Sequence, residues 1–167
     1  MKFSMYEASI PPMIRTLKNL SNILAKAVAQ AKDEKIDLAT LLEARLAPDM
    51  YPLTRQIQIA SDGAKGCAAR LTGQEPPKFP DTETTFPQLQ ERIAKTIAYL
   101  ESVKPEQFAG SENRAITLKS PSRTLEFNGC EYLTGFVLPN FYFHVTTAYG
   151  LLRSKGIAIG KMDFLGG

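Results

Sequence analysis

The chain begins with a long stretch in which apolar side chains return every three or four positions. Ile10, Met13, Ile14, Leu17, Leu20, Leu24, Ala27, Val28 and Ala31 follow that step. Such spacing stacks them on one face and predicts an amphipathic helix over Ser4 to Ala31. Pro11 and Pro12 fall early in it. Proline suits a first turn and distorts a helix interior, so either the main helix starts at Pro11 or a longer helix kinks there. In the polar connection that follows, Asp37 is placed to cap a short helix, Leu38 to Ala44, with Leu38, Leu41 and Leu42 on one side.

The periodic pattern resumes over about Pro52 to Thr72. Leu53, Ile57, Ala60, Ala64, Cys67, Ala68 and Leu71 form the apolar face, and Gly73 supplies the stop that helices take at their C-terminal end. The stretch "GQEPPKFPDTETTFP" is a loop. A third helix starts at about Phe86, with Leu89, Ile93, Ile97, Leu100 and Val103 on its face, and Pro105 closes it. The period then changes to two. Ile116 and Leu118 alternate with polar residues, and Leu125 and Phe127 do the same after "SPSR", which predicts a two-stranded hairpin at about 114–128. Such a hairpin is marginal alone and must pack on helices.

The last helix is expected over about Cys130 to Lys155, with Gly156 as its stop and Pro139 inside it. Pro139 implies two helices, or one bent at Leu138. Val137, Phe141, His144, Val145, Ala148, Leu151 and Leu152 make its apolar face. The tail "IAIGKMDFLGG" is too short and glycine-rich for another helix, and Phe164 and Leu165 are expected to tack it to the body of the protein. The sum is an all-α protein: a four-helix bundle with a small β-hairpin inserted before the last helix, in one domain over 1–167.

Composition narrows the function classes. Apolar residues make up 44% of the 167 positions and charged residues 22%, which is ordinary for a globular protein. The net charge of +3 is mild, and the cations alternate with acids along the chain. Without a basic stripe or motif, no nucleic acid is expected as partner. No apolar run is long enough for a bilayer, so no membrane partner is expected either. The N-terminal stretch does not have the pattern of a signal peptide, and two distant cysteines do not make a disulfide framework. A cytoplasmic location follows.

Candidate chemistry is sparse. His144 is the only histidine, and its place in the pattern puts it on or beside the buried face. It is either a hydrogen-bonded imidazole at the core edge or a polar group in a pocket. Gln58 and Asp62 are four apart and share a helix face. With Gln56, and with Asn140 one turn before His144, they either line one cavity, or form a solvated stripe or a helix–helix contact. Tyr142 and Tyr149 are read as packing aromatics with hydroxyls to offer. Cys67 is read as a small buried hydrophobe. Cys130 falls near a helix start, where a thiol can become reactive. No glycine-rich stretch follows a strand as a phosphate loop requires, and no serine stands in a strained elbow.

Three segments carry a resemblance: "SIPPMIRTLKNLSNIL", "LAPDMYPLTRQIQIASDGAKGCAARLTG" and "FYFHVTTAYGLLRSKGIAIGKMDFLG". In this order and spacing, over nearly the whole chain, they resemble the DUF1993 family, a branch of the DinB/YfiT-like superfamily. The resemblance implies a four-helix bundle, a homodimer and, in many relatives, a divalent metal on three histidines. In those relatives the last helix carries an H-x-x-x-H pair just before a glycine. Aligned on Gly150, the first histidine falls on His144 and the second on Ala148, while the third ligand comes from the second helix near Gln56 or Gln58. At most one of the three ligands is present, so no metal and no cofactor are expected.

The expectation is therefore a cytoplasmic DinB-like bundle without the superfamily's metal site, acting as a homodimer and binding a small organic ligand in the remaining pocket. The competing expectation is a transferase or hydrolase, metal-assisted or metal-free, that uses His144 with Gln56, Gln58 or Asp62 as helpers. A third is an interaction module whose dimer face is the function.

Overall fold

A computed structural model describes residues 4–120 and 123–167. Helix α1 runs over Met5–Glu34 and includes both early prolines in its second turn. It therefore starts before Pro11, because Ser4 and Glu7 form a capping box that fixes the first turn independently of them. Helices α2 (Leu38–Leu42), α3 (Leu53–Thr72) and α4 (Phe86–Ser102) follow. Asp37 caps α2, and Thr85 with Gln88 boxes the start of α4. Gly73 ends α3 in the left-handed region, where glycine has no steric penalty.

Strands β1 (Ile116–Lys119) and β2 (Thr124–Phe127) pair antiparallel, with Ile116 opposite Phe127 and Leu118 opposite Leu125. The expected "SPSR" turn falls partly outside the described residues. Phe127 packs against Tyr132 and Phe136, with ring centroids 5.9 and 5.6 Å away. These aromatic contacts hold a hairpin that could not stand alone.

The last long helix is one continuous rod of three segments: α5 (Gly129–Glu131), a π-helical segment (Tyr132–Val137) and α6 (Leu138–Ser154). It is neither two separate helices nor a simple bend at Leu138. Pro139 has no N–H, and its ring would collide with the preceding turn of an α-helix. Widening that turn, so that the Leu138 N–H reaches back to the Leu133 carbonyl, lets the rod continue past it.

The tail corrects the sequence reading. It forms a further short helix, α7 (Lys161–Leu165). The Asp163 carboxylate accepts from the Gly160 N–H at 2.7 Å, and Gly166 closes the turn in the left-handed region. Docking on α1 does the rest: Lys26 pairs with Asp163, and the Asn19 amide donates to the Phe164 carbonyl at 3.0 Å. Phe164 lies against Tyr149, whereas Leu165 is exposed, so only the phenylalanine tacks the tail down.

Helices α1, α3, α4 and α6 are the four rods of the bundle. α3 packs on α6 and α4, and α1 packs on α4 and α6. Their facing stripes meet in one core, where Leu17, Leu20, Leu53, Leu89, Phe141 and Leu151 are fully buried. Among the described residues, no helix is long and apolar enough to cross a membrane.

Candidate functional site

Helix α3 is shared by three polar or open regions. Near its N-terminal end, the His144 Nδ1 lies 2.7 Å from the Gln56 Oε1. The Gln56 amide nitrogen donates to the Tyr51 carbonyl at 3.0 Å, which leaves its oxygen as acceptor and puts the imidazole proton on Nδ1. Both side chains are buried. Burial, and then the nearby Arg55 charge, lower the imidazole pKa below its ordinary value, so the ring is neutral at pH 7. The Phe143 ring stands edge-on to it at 5.2 Å.

This pair settles which second-helix glutamine meets the histidine: it is Gln56. One turn further along α6, Ala148 is fully buried. A three-nitrogen metal centre would have to use the imidazole of His144, the amide of Gln56 and the methyl of Ala148. The methyl donates nothing, and an amide oxygen is a poor ligand for zinc or nickel. The residues present do not fit such a centre. Among the described residues, no three His, Cys, Asp or Glu side chains are grouped so as to hold a metal ion.

The second region lies along the α3–α4 seam and contains Gln58 and Asp62. Its centre is Arg92, a guanidinium with only 1% of its side chain exposed. It donates to Asp62 at 2.8 Å, to Glu83 at 3.0 Å and to the Pro80 carbonyl at 3.1 Å, and pairs with Asp81 at 3.0 Å. Lys65 adds a second cation on Asp62 at 2.8 Å, and Arg55 pairs with Asp81. The Gln58 amide bridges the two ends, donating to Glu83 at 2.9 Å and accepting from Arg55 at 3.2 Å. Burial opposes the Glu83 charge, but hydrogen bonds from Gln58 and Arg92 outweigh it, and its pKa lies below the usual carboxylate value. Three carboxylates here face three cations, which ties the loop between α3 and α4 to both helices.

Periodicity did not single out Arg92. Its one signal was a charge three residues after Leu89 and one before Ile93, on the stripe that faces the core.

The third region is a cleft of about 480 Å³ between α3, the hairpin and the π-helical segment. Asp62 and Asn140 both line it, with Ile59, Gly63, Phe136 and Val137. His144, Gln56 and Gln58 are not among its lining residues. The five pocket candidates do not line one cavity: His144 meets Gln56 across α3 and α6, Gln58 joins the ion cluster, Asn140 lines the cleft, and Asp62 belongs to both the cluster and the cleft. Arg70 also lines it, and donates to the Tyr132 hydroxyl at 3.1 Å. Burial pushes the Tyr132 phenol up to about 12 despite that guanidinium.

The remaining candidates have no visible chemical role. Tyr142 packs edge-on against Phe141 at 5.3 Å and Tyr149 against Phe164. Burial raises the Cys67 thiol to about 12, which keeps it protonated and inert. Cys130 is free and exposed at the start of α5.

Comparison with known proteins agrees with the fold. Residues 5–165 match the family described as Domain of unknown function (DUF1993). A crystal structure of a DinB family member from Shewanella denitrificans is 42% identical, covers 97% of this chain and 92% of its own, and superposes with a TM-score of 0.89. A comparison with curated proteins gives no match.

Proposed function

The chain belongs to the DUF1993 family, and from that premise we propose that it is a DinB-like bundle whose work is to bind a small organic molecule without metal chemistry. The observation that carries this reading is the His144–Gln56 hydrogen bond beside the buried Ala148. Gln56 accepts from Nδ1 and so leaves Nε2 as the one nitrogen this site could offer a metal, while the two companion positions hold no suitable donor. A cleft of about 480 Å³ with polar and apolar walls falls within the size range of small-molecule sites. A homodimer in the cytoplasm belongs to the same proposal. Its support is the family resemblance, the two free cysteines and the exposed Tyr51 and Phe143, which are linked to the buried pair on either side.

The test is metal content by mass spectrometry on untagged protein, before and after exposure to zinc and nickel. Less than a tenth of an equivalent of either metal is expected after buffer exchange. One retained equivalent that disappears in His144→Ala overturns the reading in favour of a metal enzyme. Sedimentation at micromolar concentration is expected to give a dimer, and a clean monomer removes that part.

A further inference from the structure

Resting on the reading of the chain as a small-molecule binder, we propose that the cleft beneath the hairpin is the binding site, and that it takes an amphipathic monoanion: a carboxylate on a short apolar body. The walls set the body. Leu118 and Leu125, cross-strand partners on the hairpin, line the cleft with Ile59, Phe136 and Val137. The rim sets the charge. Lys119, Arg123 and Arg70 supply three cations, and Asp62 is the one carboxylate among the lining residues. Asp62 is already held by Lys65 and Arg92, each at 2.8 Å. Among the described residues, neither Lys119 nor Arg123 has an ion-pair partner, and the Asn140 amide makes no hydrogen bond. These donors, with two cations unmatched, suit an incoming carboxylate, which accepts charge-assisted hydrogen bonds.

The floor of the cleft adds an independent sign. Gly63 lies in the middle of α3 with ordinary helical geometry, and a Cβ there would come no closer than 3.8 Å to its nearest neighbour, the Asn140 amide nitrogen. Packing does not demand glycine at this position. Gly129 is the contrast, since a Cβ there would meet the Ser111 carbonyl oxygen at 1.7 Å. What a larger residue at 63 would take up is the space of the cleft. The π-helical segment borders the same space through Tyr132, Phe136 and Val137, and such segments recur at functional sites.

Isothermal titration of the full chain with sodium octanoate tests this, with octylamine as the probe of equal length and opposite charge. Octanoate is expected to bind at least ten-fold tighter than octylamine. The exposed pair Lys119→Gln/Arg123→Gln is expected to weaken octanoate at least five-fold, and Gly63→Leu to abolish binding. Should Gly63→Leu melt early, Asn140→Leu serves as the second blocking variant. Equal affinity for the two probes, or no binding of octanoate or 3-phenylpropionate, overturns the anionic class. Octanoate affinity unchanged in every variant overturns the site and leaves the small-molecule reading standing. Retained metal strikes that earlier reading instead.

Discussion

The two flanks of α3 use polar residues in opposite ways. On the flank toward α4, charged groups are consumed by one another: Asp62, Asp81 and Glu83 surround Arg92, with Lys65, Arg55 and Gln58 completing the set. On the flank toward α6 and the hairpin, the side chains of Asn140, Lys119 and Arg123 stand around an open cleft with no hydrogen-bond or ion-pair partner among the described residues. An ion cluster whose charges are met by one another around a buried guanidinium holds structure, although the Arg92 Nε itself finds no partner among the described residues. Donors left uncommitted beside apolar walls are available to a ligand. The carboxylates, which as residue types look more chemical, are on the structural side of that division.

The sharpest break of this comparison is Arg92→Met. Removing the central cation leaves carboxylates without their partner in a partly buried site. Loss of one member of a buried pair costs about 3–5 kcal/mol. Glu83 is the most buried acid of the set, with 11% of its side chain exposed, while Asp62 and Asp81 reach solvent at 36% and 39%. We therefore expect the low end, about 3 kcal/mol, read as a shift in the urea midpoint. A change below about 0.5 kcal/mol would mean that the cluster is a surface feature, and the contrast between the flanks would fail.

The next effect is at the histidine. His144→Ala leaves the Gln56 oxygen buried without its donor, which costs about 1–3 kcal/mol. The wild type also carries a pH signature. Because the folded imidazole titrates below its ordinary value, the unfolded chain takes up the proton first as pH falls. Stability is therefore full above the unfolded histidine value of about 6.5 and declines as pH drops toward the folded value. Glu83 has the same sign at lower pH, since its folded pKa is also depressed: its contribution is present above the usual carboxylate range and lost as pH falls through the folded value. Urea midpoints from pH 7.5 to 5 should fall in the wild type and lose the histidine part of that slope in His144→Ala. An unchanged slope would show that the ring is not held neutral by its buried setting.

These residues also mark where sequence stopped being informative. The rods and their faces followed from spacing alone, because three- and four-residue steps map directly onto a buried helical stripe. The hairpin was visible as a change of period. The partner of His144 was not, since Gln56 lies 88 residues away and both Gln56 and Gln58 were plausible. Choosing between them needs the relative register of α3 and α6. Arg92 was hidden because a charge on an amphipathic helix reads as solvated until its acids, carried on another helix and a loop, are brought to it. The π-helical turn depends on how the chain accommodates Pro139, and α7 has too few residues to show a period. The resemblance pointed to the positions that carry metal ligands in relatives, yet the cleft lies elsewhere, on residues outside that motif.

The smallest expected change tests the open flank itself. Alanine in a helix interior is favoured over glycine by roughly 0.5–1 kcal/mol, because glycine loses more conformational freedom on folding. At Gly63 nothing opposes that gain, since the added methyl meets only an ordinary contact at 3.8 Å. Gly63→Ala should therefore raise the urea midpoint by an amount corresponding to that range, while reducing octanoate affinity a few-fold as the methyl enters the cleft. Stability and binding moving in opposite directions would mean that the glycine is kept for the space above it. A variant that loses stability would show that the cleft is closed by contacts with the hairpin, and a variant that gains stability with unchanged affinity would detach Gly63 from the ligand altogether.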